Sequence, residues 1–273
     1  MATIDVAGTT LAYEDTGGDG RPVVLIHGWP LSGASWSAQL PALTAAGYRV
    51  ISYDRRGFGA SGKPDDGYDY DTFVADLAAL LDSLDVTDAT LVGFSMGGGE
   101  VARYLGRHGS GRIRSAVFAG AVPPYLLITD DNPDGGLQDG DVQEMIDGVA
   151  ADREGFLDEF SVTFFSADDE LKVSDDQRKQ AFALSTPASD AAVQGCIDAF
   201  GRTDFRADLD RIDVPVLVIH GSADAIVPFE VSGQRTAEQV ADAELHVIDD
   251  APHGFTVSHA EEFNTALVDF LAR

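Results

Sequence analysis

The sequence is poor in the residues that would tie it to a nucleic acid, a metal or a membrane. Its single cysteine, Cys196, excludes an internal disulfide and reads as a small, part-buried hydrophobe in a helix. No His/Cys cluster has the spacing of a zinc site. Basic residues are scarce, 18 Lys and Arg against 46 Asp and Glu, for a formal net charge of −28. Only Lys63, Lys172 and Lys179 are lysines. Nucleic-acid binding needs a basic face, so this balance excludes it and argues against an anionic membrane. No run is long and apolar enough to span a bilayer. The opening Met1-Ala2-Thr3-Ile4-Asp5 has neither a basic nor an apolar leader region, which predicts no signal peptide and a cytoplasmic protein.

What is present is a large apolar fraction, 44% of 273 residues, enough for one undivided α/β core. The acidic, lysine-poor surface resembles that of proteins from salt-loving organisms. It predicts that folding and activity need high KCl to screen the self-repulsion.

Strand and helix patterns alternate along the chain. Ile4–Ala7 and Thr10–Glu14 read as a hairpin around Gly8. Pro22–Gly28, Tyr48–Asp54, Ala89–Phe94 and Ile113–Ala119 read as strands, with helices over Ser35–Ala46, Asp71–Leu84 and Met96–Gly106. Alternation then stops. Residues 121–210 are loop-rich at first, then helical over Val142–Val149, Arg153–Phe165, Asp175–Leu184 and Ser189–Phe200. It resumes with strand Val214–His220, a helix near Glu230–Val240, strand Glu244–Ile248 and a last helix over Ser258–Ala272. The expected organisation is a core of residues 1–120 and 211–273 and a helical cap of residues 121–210. Repeated βα units imply a mostly parallel sheet with helices on both faces and a site beyond the carboxyl ends of the strands.

The chemistry centres on Gly93-Phe94-Ser95-Met96-Gly97, a strand running through a tight turn into a helix. A serine hydroxyl is a weak nucleophile unless it is held clear of the backbone beside a base. Small flanking residues are the steric condition for a turn that does this. Among six histidines, His253 in Ala251-Pro252-His253-Gly254 lies in a loop at the carboxyl edge of the sheet. His108 and His259 sit near exposed helix ends, His246 lies inside a strand, and His27 and His220 close strands. Asp224, just after the preceding strand, completes the order nucleophile, acid, histidine. Asp249 and Asp250 are weaker candidates for the acid. An oxyanion needs two backbone donors. Met96 N–H follows the nucleophile, and Trp29 N–H precedes Pro30, which has none. Phe94, Trp29 and Met96 flank Ser95 and suggest a small apolar pocket, with Pro30, Val122, Ile226 and Phe160 closing it.

Two further patterns read as decoys. Gly57-Phe58-Gly59-Ala60-Ser61-Gly62 fits a dinucleotide fingerprint, but no helix follows it. Asp130-x-Asn132-x-Asp134-Gly135 approaches a calcium loop, but Pro133 interrupts it and its last ligand is Asp141.

With these residues the chain resembles the α/β-hydrolase family, and closely its cofactor-free haloperoxidase branch, which also holds aryl esterases, perhydrolases and some lactamases. The resemblance rests on His27-Gly28-Trp29-Pro30-Leu31-Ser32-Gly33, Tyr53-Asp54-Arg55-Arg56-Gly57-Phe58-Gly59, Gly67–Phe73, Val92–Tyr104, Gly120–Pro124 and Thr129–Gly136. It implies an eight-stranded sheet, no metal or other cofactor, and a small acyl substrate. It also implies that Ser95 forms an acyl-enzyme, released by water or hydrogen peroxide. Peroxide would give a peracid able to oxidise halide in solution. Pro30, by displacing the Trp29 backbone, would let the Trp29 carbonyl accept a hydrogen bond from peroxide; this contact and homo-oligomer assembly are implied by the resemblance too. An amide or lactam hydrolase with the same triad, or a ligand-binding homologue without catalysis, stays open.

Overall fold

A computed structural model describes all residues, Met1–Arg273. Its spine is a twisted sheet of eight strands: β1 (Ala2–Val6), β2 (Thr9–Asp15), β3 (Pro22–Ile26), β4 (Arg49–Tyr53), β5 (Ala89–Phe94), β6 (Ile113–Ala119), β9 (Val216–Gly221) and β10 (Ala243–Ile248). Their spatial order is β1-β2-β4-β3-β5-β6-β9-β10. The first two form an antiparallel hairpin in which β2 alone runs against the sheet; β1 and the other six strands point the same way. A two-residue-per-strand hairpin, β7 (Ser166–Ala167) and β8 (Glu170–Leu171), stands apart.

Continuous apolar runs such as Val23-Val24-Leu25-Ile26 and Leu91-Val92 are what a strand covered on both faces requires. Alternate residues serve opposite faces: Val24, Ile26 and Leu91 join one apolar cluster, Val23, Leu25 and Val92 the other. Helices α2 (Tyr70–Ser83) and α3 (Met96–His108) contribute to the first cluster, and α1 (Leu40–Ala45), with the closing α11 (Ala260–Leu271), to the second. Asp69 caps α2 by accepting the Thr72 N–H at 2.9 Å.

Between β6 and β9 the chain builds α4 (Asp139–Ala151), α5 (Arg153–Phe165), α6 (Asp175–Ala183), α7 (Asp190–Arg202) and the short α8 (Arg206–Leu209). The remaining elements are α9 (Gly233–Gln239) and the one-turn α10 (Phe255–Ser258). Two expected helices are interrupted. The segment expected as Ser35–Ala46 is a 3-10 turn over Gly33–Ala38, then α1 with Pro41 in its first turn, because proline cannot continue the hydrogen-bond ladder of the preceding turn. The last helix starts afresh at Ala260, with His259 breaking the chain after α10. No helix is long and apolar enough to cross a membrane.

Candidate active site

Ser95 sits between β5 and α3 with φ +55° and ψ −121°, a conformation an L-residue adopts at a cost of about 1–3 kcal/mol. The turn is too tight for side chains around it. A Cβ on Gly93 would lie 2.5 Å from Gly97 O, and one on Gly97 would lie 2.4 Å from Ile26 O. Gly28 passes equally close, since a Cβ there would meet Phe94 at 2.8 Å and Ser95 Cβ at 3.0 Å. The glycines of both sequence motifs are thus consequences of three chain segments crossing at one point.

Ser95, Asp224 and His253 converge from three loops at the carboxyl edge of the sheet, and all three are buried. The Ser95 hydroxyl donates to His253 Nε2 at 2.9 Å, and His253 Nδ1–H donates to Asp224 Oδ2 at 2.6 Å. Asp224 Oδ1 accepts the N–H groups of Ile226 (3.0 Å) and Val227 (2.8 Å), which lock the carboxylate plane. Burial pushes the Asp224 carboxyl up, but the charge of His253 and the hydrogen-bond donors around it outweigh burial and hold it well below the usual range. The alternative acids are elsewhere: Asp250 pairs with Lys172 at 2.7 Å, and Asp249 is exposed. The other histidines do not reach Ser95. His246 pairs with Glu262, His259 meets Ser258, and His108 stacks on Tyr104.

The His253 loop is clamped from the inserted helices. The ring of Phe164, near the end of α5, stands edge-on to the imidazole with centroids 5.0 Å apart. Its carbonyl accepts the Gly254 N–H at 2.7 Å. A side chain at 254 would collide with Phe165, its Cβ lying 2.3 Å from that ring.

The backbone N–H groups of Trp29 and Met96 have no acceptor within the chain. That leaves both free for a bound oxyanion, and Met96 opens the 13-residue α3, where the helix dipole favours negative charge. The Trp29 indole is committed, donating to Val193 O of α7 at 3.0 Å. Behind the loop lies a buried polar knot. Arg55 pairs with Glu100 of α3 and donates to His27 O at 2.7 Å, while Tyr53 donates to Glu100. The Arg55 N–H donates to His27 Nε2 at 3.0 Å, which fixes that ring. Burial, reinforced by the Arg55 charge, holds the His27 imidazole well below its ordinary value, so it serves as a neutral brace.

A cavity of about 220 Å³ opens on Ser95. Trp29, Val122, Phe160 and Ile226 line it, as expected, and so do Leu126, Leu137, Met145, Phe156 and Phe200. Ser95 is its only polar lining residue. Three residues expected at the pocket do not line it, and Met96, packed into the first apolar cluster, is one of them. Phe94 belongs to the opposite face of the sheet, because alternation along β5 sends its ring toward Trp36, Phe164 and Phe255. There it backs the His253 imidazole and walls a separate cavity of about 310 Å³. Pro30 is buried in the turn beneath Trp29 and does not reach the cavity wall. The one sequence signal for the missed wall was Phe156, four residues before Phe160 and so on the same stripe of a helix.

Both decoy motifs have structural duties. Asn132 is turned inward, donating to Tyr125 O and Leu127 O and accepting from Arg235. The Gly57–Gly62 turn folds over Asp54, whose Oδ2 accepts the Ala60 N–H at 2.7 Å.

Residues 21–260 match the sequence pattern of the alpha/beta hydrolase fold, and the chain belongs to that family. Within it, the chain is 45% identical to the non-heme chloroperoxidase CPO-A1 of Kitasatospora aureofaciens, over 97% of this chain and 96% of that protein. It is 36% identical to the bifunctional esterase/perhydrolase DCH of Acinetobacter calcoaceticus, over 97% and 96% of the two chains. The crystal structure of a bromoperoxidase from Bacillus anthracis superposes with a TM-score of 0.95 at 52% identity, covering 98% of this chain and 97% of that one. The chain is therefore an enzyme of the α/β-hydrolase class, on the branch that holds the non-heme haloperoxidases and esterase/perhydrolases.

Proposed function

We propose that the protein hydrolyses small, uncharged acyl esters through a Ser95–His253–Asp224 triad, and that hydrogen peroxide can replace water as acyl acceptor. The observation that carries this reading is the unbroken hydrogen-bond chain from Ser95 Oγ to Asp224 Oδ2 at the floor of an apolar cavity.

In the first half-reaction Ser95 Oγ attacks the acyl carbon and His253 Nε2 takes the hydroxyl proton. Asp224 holds the imidazole in the Nδ1–H tautomer and stabilises the imidazolium. The N–H groups of Met96 and Trp29 bind the oxyanion of the tetrahedral intermediate. The intermediate collapses as His253 returns the proton to the departing alkoxide, leaving Ser95 acylated. Water or hydrogen peroxide then loses a proton to His253 and attacks the acyl carbon, and His253 reprotonates Ser95 Oγ as the carboxylic acid or peracid leaves. A peracid released this way oxidises halide outside the site, so halogenation needs no metal or haem. The apolar cavity supports an uncharged acyl group, because a charged one would lose its hydration there without a partner.

The test is an ester panel with p-nitrophenyl acetate as reference, assayed in molar KCl with water or peroxide as acceptor. Turnover in wild type and its loss in Ser95→Ala are expected. Absence of acyl turnover in wild type would overturn the reading. For the acceptor, Pro30→Leu is expected to lower the ratio of perhydrolysis to hydrolysis; an unchanged ratio removes Pro30 from that role.

A further inference from the structure

His220 is the penultimate residue of β9, four residues before Asp224, and is wholly buried. Its Nε2 lies 2.8 Å from Val227 O. A carbonyl only accepts, so Nε2 carries the hydrogen. The same nitrogen lies 3.3 Å from Asp224 Oδ2, beside the axis of the Val227 bond, as a close electrostatic contact. Its other nitrogen, Nδ1, has no partner. Gly233 closes that edge, and a Cβ there would lie 2.4 Å from Nδ1. The Val227 peptide therefore holds both groups: its N–H fixes Asp224 Oδ1 and its carbonyl fixes the His220 ring.

We propose that His220 is a positioning residue for the Asp224–His253 pair, an inference that rests on the acyl-transfer reading above. The positive end of its Nε2–H dipole lies beside the oxygen that receives the His253 hydrogen bond. It restrains that oxygen and draws charge from it, which weakens the carboxylate's hold on the imidazolium and keeps His253 easier to deprotonate. The titratable groups set against the ring are Asp224 and, across the shared Oδ2, His253. The 225–229 loop presents Val227 and Phe229, α9 presents Gly233, β10 places Val247 in register with His220, and β6 ends beside it at Ala119-Gly120.

The test compares the pH profiles of kcat/KM for wild type, His220→Gln and His220→Leu, with p-nitrophenyl acetate in molar KCl. Glutamine keeps an N–H at similar reach and leucine does not. His220→Gln is expected to stay within about threefold of wild type with its acid limb unmoved. His220→Leu is expected to lose about tenfold or more, mainly in kcat, with the acid limb raised by about half a pH unit or more. An acid limb in His220→Leu that coincides with wild type overturns the proposal, and so does a shift of equal size in His220→Gln. Should His220→Leu not fold, Gly233→Ala reads the same limb, because its methyl group displaces the ring; an unmoved limb there is equally fatal. If wild type lacks ester turnover, or Ser95→Ala retains it, the acyl-transfer reading falls instead.

Discussion

Trp29 and Val193 lie 164 positions apart and are joined by an indole N–H to carbonyl hydrogen bond of 3.0 Å. The bond ties the loop that passes beside Ser95 to helix α7 of the insertion. The same indole stands edge-on to Phe160 and Phe200 in the cavity wall. Trp29→Phe keeps an aromatic wall and removes the bond. A buried hydrogen bond of this kind contributes about 0.5–1.5 kcal/mol, so kcat/KM for p-nitrophenyl acetate should fall by about 2- to 13-fold. A larger loss in kcat than in KM is the mark of a displaced oxyanion loop, and steady-state kinetics separates the two.

Asp224 sets a pH dependence for stability. Its folded carboxyl titrates below the unfolded value of about 3.9. The stability it contributes is therefore complete above that value and is lost as pH falls through the folded value. Urea unfolding of wild type and Asp224→Asn in molar KCl should show the largest gap near about pH 7 and a shrinking gap below about pH 4. The same variant should lose about 10⁴ in kcat, since an asparagine amide can hold the wrong imidazole tautomer.

Arg55 and Glu100 are a buried ion pair, and removing one member strands the other. Burial already raises the Glu100 carboxyl, and the Arg55 charge is what opposes that rise. Arg55→Met should cost about 3–5 kcal/mol in urea unfolding. The double variant Arg55→Met with Glu100→Leu should recover much of that loss, because both desolvated charges are gone. A double variant as unstable as the single one would mean that the cost is one of packing alone.

The charge balance sets the salt response. Several arginines each hold two carboxylates: Arg178 holds Asp158 and Asp175, Arg202 holds Asp139 and Asp198, and Arg206 holds Asp131 and Asp204. With 46 acidic against 18 basic residues, many surface carboxylates are left without a cationic partner. We expect the unfolding temperature to rise between low salt and molar KCl as this repulsion is screened. A calorimetric scan showing equal temperatures in the two conditions would remove the salt requirement.

Much of the architecture is legible in local patterns. Buried parallel strands announce themselves as apolar runs, and the Gly93–Gly97 turn follows from sterics within a few residues. The chain order of Ser95, Asp224 and His253 was readable for the same reason, since each follows a recognisable strand. The cavity wall was harder. Phe94 flanks Ser95 in sequence yet faces the other side of the sheet, and only the pleat decides that. The Trp29–Val193 bond depends on how α7 docks, which no local pattern encodes. No local pattern pairs Arg55 with Glu100, which are buried together only where the segment after β4 meets α3.

The hydrogen bond from Gly254 to the Phe164 carbonyl has a consequence in time. The loop that carries the imidazole is moored to a segment some 90 residues earlier in the chain, so we expect His253 to be oriented only after the insertion has settled on the sheet. A half-assembled molecule would hold its serine and its acid near their places and still be silent. Ester turnover during refolding should consequently appear with the last docking event, later than the secondary structure, and serve as a clock for completion of the fold.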